Sequence, residues 1–213
     1  MDKKITVLLV DDHAVVRSGL RRLLDQSDEV QVVAEAESGE QAYQLYGEIL
    51  PEILVMDMSM PGIGGLEALR RIKTRYSKAK IIIFSMYENA TFSTQALTAG
   101  ALGYVSKSGE AGDLLTAVKQ VYAGKIYLSS EMAQKIALHT MSGDDNPIQK
   151  LTAREFEIFR LLAEGKVVDE IAKLLNIGQK TVANYQTLLK QKLQINSPVE
   201  LVRLAIRHGV IED

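Results

Sequence analysis

Ile53-Leu54-Val55-Met56-Asp57, running directly into Met58-Ser59-Met60-Pro61-Gly62, is the stretch from which the fold can be read. Four consecutive apolar residues suit a strand buried on both faces, and the Pro-Gly pair turns the chain immediately afterwards. The strand therefore delivers one carboxylate to its end. Asp57 is either a charge with a structural partner or a nucleophile or metal ligand held at the rim of a sheet. The neighbouring segments have to decide which.

Working outward, four more short apolar runs share this character: Ile5 to Val10, Val30 to Ala36, Ile81 to Phe84 and Gly103 to Val105. Amphipathic helical patterns follow the five runs in turn, at Ala14 to Leu24, Glu40 to Ile49, Leu66 to Tyr76, Thr91 to Thr98 and Asp113 to Tyr122. Strands alternating with helices of this length predict a parallel sheet covered on both faces. Ser38-Gly-Glu-Gln41 has the form of a capping box, and Gly100 and Gly124 stand where helix C-terminal glycines belong. The expectation is an α/β unit, a (βα)5 flavodoxin-like fold with strand order 2-1-3-4-5, over residues 1–125.

Polar residues gather just past the strand ends: Asp11 and Asp12 after the first, Asp57 after the third, Ser85 after the fourth, and Lys107 beyond the fifth. In a parallel sheet all of these are carboxyl ends. Ligands of open α/β sheets bind there, where strand order reverses, which places the site between strands one and three. Three neighbouring carboxylates raise one another's pKa unless a cation intervenes, and carboxylates plus water suit Mg²⁺. Lys107 and Ser85 can contact the oxygens of a transferred phosphoryl group, so the set describes phosphoryl transfer to a carboxylate. Taken singly, Asp11 could cap a helix, Lys107 could be a solvated charge, and Ser85 could be a strand-end hydroxyl.

The pattern Asp11-Asp12, Asp57 with Met-Pro-Gly downstream, Ser85, and Gly100-Ala-Leu-Gly-Tyr-Val-Ser-Lys107 resembles the receiver domain of bacterial two-component response regulators. The resemblance implies that Asp57 accepts a phosphoryl group from a sensor histidine kinase. It implies that Mg²⁺ sits on Asp12, Asp57 and the backbone carbonyl of Ser59 with Asp11 assisting, and that Ser85 and then Tyr104 turn inward on activation. Two departures stand out. Ser108 follows Lys107 where many receivers carry proline, and Met86 occupies a position commonly small, where its bulk could shield the phosphoryl group from water.

Composition bounds the rest. The chain has 213 residues, 46% of them apolar, enough for two compact domains. It has no cysteine and only His13, His139 and His208, which removes disulfides and thiolate sites and disfavours a histidine metal cluster. No apolar run approaches ~18 residues and no signal-peptide pattern opens the chain, so a cytoplasmic protein without a membrane partner is expected. Net charge is −2, yet between Gly178 and His208 Lys180, Lys190, Lys192, Arg203 and Arg207 face only Glu200. Basic character is confined to the C-terminal end.

Ser129 to Met141 reads as a helix, and Met141-Ser-Gly-Asp-Asp-Asn-Pro147 as a mobile linker, so residues 126–149 form a connection. An all-α unit over 150–213 begins at Thr152, whose spacing to Glu155 is a capping box, and its first helix closes at Gly165. A second short helix, Asp169 to Leu175, a turn through Gly178, and a third helix, Gln179 to Lys192, make a helix-turn-helix whose second member can enter a DNA major groove. Val182, Leu189 and Leu193 form that helix's buried stripe. Lys180, Ala183, Asn184 and Thr187 then point outward. A fourth helix starts at Ser197-Pro198. The alternative is a small helical interaction domain without nucleic acid.

Leu151-Thr-Ala-Arg-Glu155, Leu161-Leu-Ala-Glu-Gly165, Glu170-Ile-Ala172, Thr181-Val182, Lys192-Leu193 and Glu200-Leu-Val202 resemble the four-helix DNA-binding domain of the NarL/FixJ (LuxR-type) regulators. Asn184 is the expected base contact, while Lys180, Thr181, Ala183, Tyr185, Thr187, Lys190 and Lys192 complete the DNA-facing set, its lysines and Tyr185 on phosphates. Few charges on this helix imply weak monomer binding and a homodimer in the active state. The whole describes a phosphorylation-activated transcriptional regulator rather than an enzyme. An aspartate-nucleophile phosphatase would need a second carboxylate where Ser59 stands, and a regulator working by protein or ligand contact would not need the acidic set.

Overall fold

The structure, a computed structural model, describes residues 3–141 and 146–211. Most of the expected linker, residues 142–145, lies outside the described residues. The first unit runs β1 (Ile5–Val10), α1 (Ala14–Asp25), β2 (Val30–Ala36), α2 (Gly39–Ile49), β3 (Ile53–Met56), α3 (Gly64–Arg75), β4 (Ile81–Ser85), α4 (Ala90–Thr98), β5 (Gly103–Ser106) and α5 (Ala111–Tyr122). All strand pairs are parallel, in the order β2-β1-β3-β4-β5 and then β6. β6 (Tyr127–Leu128) is the one strand the hydrophobic pattern does not reveal, because two residues carry no periodicity. It carries the sheet past residue 125.

Every residue of β3 is buried, as its unbroken apolar run requires of a strand covered on both faces. One apolar core under the sheet joins Val7, Leu9, Val55, Ile82 and Val118. The core on the other face joins Leu8, Leu54, Ile72 and Phe92, and continues without a break into Ile148, Phe156, Phe159 and Leu189 of the C-terminal unit.

That unit follows α6 (Ser130–Met141), which packs on α4, and a 3-10 turn at Pro147–Lys150. Its helices are α7 (Ala153–Ala163), α8 (Val168–Leu174), α9 (Gln179–Leu193) and α10 (Pro198–Arg207). The Thr152–Glu155 capping box is formed, with Glu155 accepting from the Thr152 N–H at 2.7 Å. Val182, Leu189 and Leu193 are buried as the spacing predicts. The four residues from Leu175 to Gly178 make the turn between α8 and α9, with Asn176 at φ 50° supplying the left-handed residue.

Hydrogen bonds from the turn after β3 and from α4 are among those that join the units. The turn after β3 donates from the Gly62 N–H to the Leu174 carbonyl at 2.7 Å, and its carbonyl accepts from Arg154 at 3.3 Å. Along α4, Thr91 donates to the His208 carbonyl at 2.7 Å and Gln95 to the Ile148 carbonyl at 2.8 Å.

Candidate functional site

Strand order reverses at β1, so the ends of β1 and β3 diverge around a crevice. Asp57, 3% exposed, is held there by its N–H to the Val10 carbonyl at 2.8 Å. Asp11 is equally buried, and the metal-competent oxygens of Asp11, Asp12 and Asp57 lie within 4.8 Å of one another. Lys107 reaches back from the end of β5, its Nζ 2.7 Å from Asp11 and 3.0 Å from Asp57. Ser85, fully buried at the end of β4, accepts from the Tyr87 N–H at 3.2 Å, and its carbonyl accepts from the Lys107 N–H at 2.8 Å. All five residues therefore converge.

Burial raises the Asp57 pKa, against the pull of Lys107, and the neighbouring Asp11 raises it further. Lys107 is held above the ordinary lysine range: burial opposes its charge, but Asp11 and Asp57 outweigh that. One lysine against three carboxylates leaves negative charge in excess. Asp12 Oδ1 is buried, with His13 Nδ1 3.0 Å away as an ionic neighbour. Clustered carboxylates that outnumber the lysine among them fit a hard cation of the Mg²⁺ class.

The pattern of spacings does not mark two further members. His13 sits 3.2 Å from Asp11 and 3.0 Å from Asp12 through Nδ1, and its N–H donates to Asp11 at 2.8 Å. Arg17 donates to the Asp11 carbonyl at 2.6 Å from one turn into α1. Adjacency to the Asp pair is the only signal for His13. Tyr104 is 1% exposed, with its hydroxyl donating to the Tyr87 carbonyl at 2.7 Å, so the ring already lies inside. Met86 is 66% exposed and borders a groove of about 520 Å³ between α1 and α5 that also includes Phe84 and Lys107.

On α9, Lys180, Thr181, Ala183, Asn184, Thr187 and Lys190 are exposed and Tyr185 is half-buried. Thr181 and Tyr185 border a cleft of about 600 Å³ whose other wall is Glu67, Arg70 and Arg71 of α3. Part of the outward face thus looks at the first unit. Lys192 has a partner already: its Nζ lies 2.7 and 2.8 Å from the two oxygens of Glu155, the residue that caps α7. Burial of Glu155 is outweighed by Lys192 and Thr152, which hold its pKa below the usual range.

Residues 7–119 match the response regulator receiver domain, and residues 149–205 match the bacterial regulatory proteins of the luxR family. The chain belongs to the response regulators with a LuxR-type output domain. This regulator is 40% identical over 208 residues to the response regulator UvrY of Escherichia coli K12, covering 97% of this chain and 95% of that one. It is 38% identical over 210 residues to the response regulator GacA of Pseudomonas aeruginosa PAO1, covering 98% of each. Its fold superimposes on RcsB from Salmonella enterica serovar Typhimurium with a TM-score of 0.69 at 28% identity, covering 95% of this chain and 98% of that one. That RcsB structure was solved bound to a promoter in the presence of the phosphomimetic BeF3⁻. Among the described residues of the regulator, no helix is long and apolar enough to cross a membrane.

Proposed function

We propose that Asp57 is the phosphoacceptor of this regulator and that its phosphorylation by a sensor histidine kinase controls promoter binding. The observation that carries the proposal is the convergence of Asp57, Asp11, Asp12 and Lys107 at the switch point, with Lys107 bridging two carboxylates and oxygens of Asp11, Asp12 and Asp57 within 4.8 Å of one another. An Asp57 oxygen attacks phosphorus, the P–N bond to the kinase histidine breaks, and the imidazole leaves with a proton. Lys107 stays beside the attacking carboxylate and can neutralise the transferred oxygens. Asp12, Asp57 and the Ser59 carbonyl would hold Mg²⁺, with Asp11 behind them. When bound, Mg²⁺ neutralises charge on the phosphoryl oxygens. Ser85, at the end of β4, would turn its hydroxyl to donate to the new phosphoryl group.

The output is binding of double-stranded DNA by α9, with Asn184 on a base edge and Lys180, Tyr185, Lys190 and Lys192 on phosphates. Thr181, Ala183 and Thr187 complete that face. Because Thr181 and Tyr185 of α9 line a cleft whose other wall is α3, part of the DNA-binding face is covered by the first unit, and opening precedes DNA binding. An exposed cationic face of only a few lysines binds weakly as a monomer, and a homodimer on DNA supplies the missing phosphate contacts. A chain that meets a kinase and a promoter works in the cytoplasm.

The test compares wild type with Asp57→Asn after treatment with acetyl phosphate and Mg²⁺. Phosphoryl uptake is read as a mass increase, and binding is measured on duplexes selected from a random pool. Uptake and tighter binding by wild type alone are expected; equal binding by both treated proteins removes the phospho-switch.

A further inference from the structure

Tyr87 touches the switch hydroxyl with its backbone and the DNA-binding unit with its side chain. Its N–H donates to Ser85 Oγ at 3.2 Å, and its carbonyl accepts from the buried Tyr104 hydroxyl at 2.7 Å. Its ring lies flat on Phe92 of α4, with centroids 3.9 Å apart and planes 6° from parallel. Phe92, 1% exposed, turns its edge to Phe156 of α7 at 5.1 Å and 81°. The Tyr87 hydroxyl accepts from Arg160 of α7 at 3.1 Å, and the guanidinium also stands 5.8 Å from the ring centroid. A continuous line of packed and hydrogen-bonded groups thus runs from Ser85 to the first helix of the output unit.

We propose that Tyr87 is the coupling residue through which the state of Ser85 sets the docking of α7, a role that rests on Asp57 being the phosphoacceptor. Ser85 Oγ is now an acceptor for Tyr87. Turning it toward a phosphoryl group on Asp57 gives its proton a strong acceptor and withdraws its lone pair from the Tyr87 N–H. Residues 86–89 then lose the bond that ties them to Ser85 while Tyr104 still holds the Tyr87 carbonyl, and Tyr87 has a second arrangement available only if the ring leaves Phe92 and the hydroxyl leaves Arg160. Coupling of this kind requires an element with two discrete positions that both ends bias, and Tyr87 supplies it. The stacked ring and the charge-assisted bond both belong to the closed state. Their joint loss multiplies the open-to-closed ratio about thirtyfold to two-thousandfold.

The experiment uses the full chain, whose lack of native cysteine allows dyes at Glu48→Cys and Arg203→Cys to report domain separation by energy transfer. Tyr87→Phe keeps the stack and removes the hydroxyl; Arg160→Gln removes the charged donor. Each variant is expected to raise the unphosphorylated open fraction severalfold, the double variant no more than the larger single one, while acetyl phosphate still labels Asp57. Tyr87→Leu should uncouple labelling from opening, so that labelled and unlabelled protein transfer energy alike. Additive effects, or full phosphorylation-dependent opening in Tyr87→Leu, overturn the role of Tyr87 while wild-type labelling leaves the acceptor assignment standing. Wild type that takes up no phosphoryl group overturns both.

Discussion

A methyl group added at Gly64 tests the interdomain contact most sharply. Gly64 sits at φ +67°, and a Cβ built there lies 2.1 Å from Glu157 Oε1 and 2.9 Å from its Cδ. Glu157 has little room to retreat, because Arg154 holds its carboxylate at 2.8 Å while also donating to the Leu175 carbonyl at 2.9 Å. In Gly64→Ala the left-handed backbone costs about 1–2 kcal/mol whether the units are docked or apart. The clash exists only when they are docked. Displacing Glu157 from Arg154 forfeits a hydrogen bond between charged groups, about 1.5–3 kcal/mol, so the open form should gain about tenfold to a hundredfold. Energy transfer between dyes at positions 48 and 203 reads the ratio, and small-angle scattering checks it as an increased radius. In a Glu157→Ala background the obstruction is gone, and Gly64→Ala should then open the chain no further. Equal opening by Gly64→Ala in both backgrounds would refute the reasoning, since the effect would then come from the backbone alone.

Glu157 also predicts a pH dependence. Burial pushes its carboxyl up to about 7, more than the nearby Arg154 and Arg160 pull it down, and Glu67 across the interface adds to the rise. Undocking restores an ordinary value of about 4.3, so the docked state binds more protons between these limits. Docking is then favoured at low pH and progressively lost as pH rises toward 7, by up to about 3 kcal/mol, and Glu157→Gln should flatten the slope. Asp57→Asn should raise the Tm by a few degrees in Mg²⁺-free buffer, because a carboxylate with a raised pKa opposes folding once ionised; calorimetry showing a lower Tm would contradict the charge excess. Asn184→Ala should relax sequence preference at one base pair, whereas Lys190→Ala should weaken binding to all duplexes and flatten the salt dependence, both measured by mobility shift. Lys192→Ala should lower thermal stability as well, since it strands the buried Glu155.

The sheet and its acidic set were legible because each depends on local patterns. Unbroken apolar runs declare buried parallel strands, and a residue placed after such a run has no choice but the carboxyl edge. The same holds for Val182, Leu189 and Leu193, whose spacing fixes the inner face of α9 without reference to anything outside the helix. Contacts between the units obey no such period. Thr91 and Gln95 of α4 are buried although polar, because the chain beyond residue 146 covers them and supplies their carbonyl partners. Glu157 looks like a solvated charge in sequence and Lys192 like a phosphate contact, and only the fold shows one at the docking surface and the other tied to the α7 cap. Tyr87 differs from its exposed neighbour Met86 by nothing that a single sequence displays.

The turn after Asp57 explains why phosphoacceptor and docking surface share one loop. Gly65 is required by the chemistry: a Cβ there would stand 1.9 Å from the Asp57 carbonyl oxygen, so any other residue pushes the acceptor's own backbone out of the crevice. Its N–H closes the turn on the Met58 carbonyl at 3.0 Å, which keeps residues 58–65 compact and fixed relative to Asp57. The far side of this compact turn is where Gly62 meets Leu174 and Arg154, and where Gly64 leaves room for Glu157. A loop tight enough to aim one carboxylate cannot shift at one end alone, because Met58 and Met60 are packed in the core beneath it. If Asp57 is the acceptor, a displacement there would be felt at Arg154, which donates to the Gly62 carbonyl of the same turn. Tyr87 carries the second report from the same event, through Ser85. Two contacts on different elements, both anchored at α7, make release of the output unit depend on the site as a whole rather than on either loop by itself.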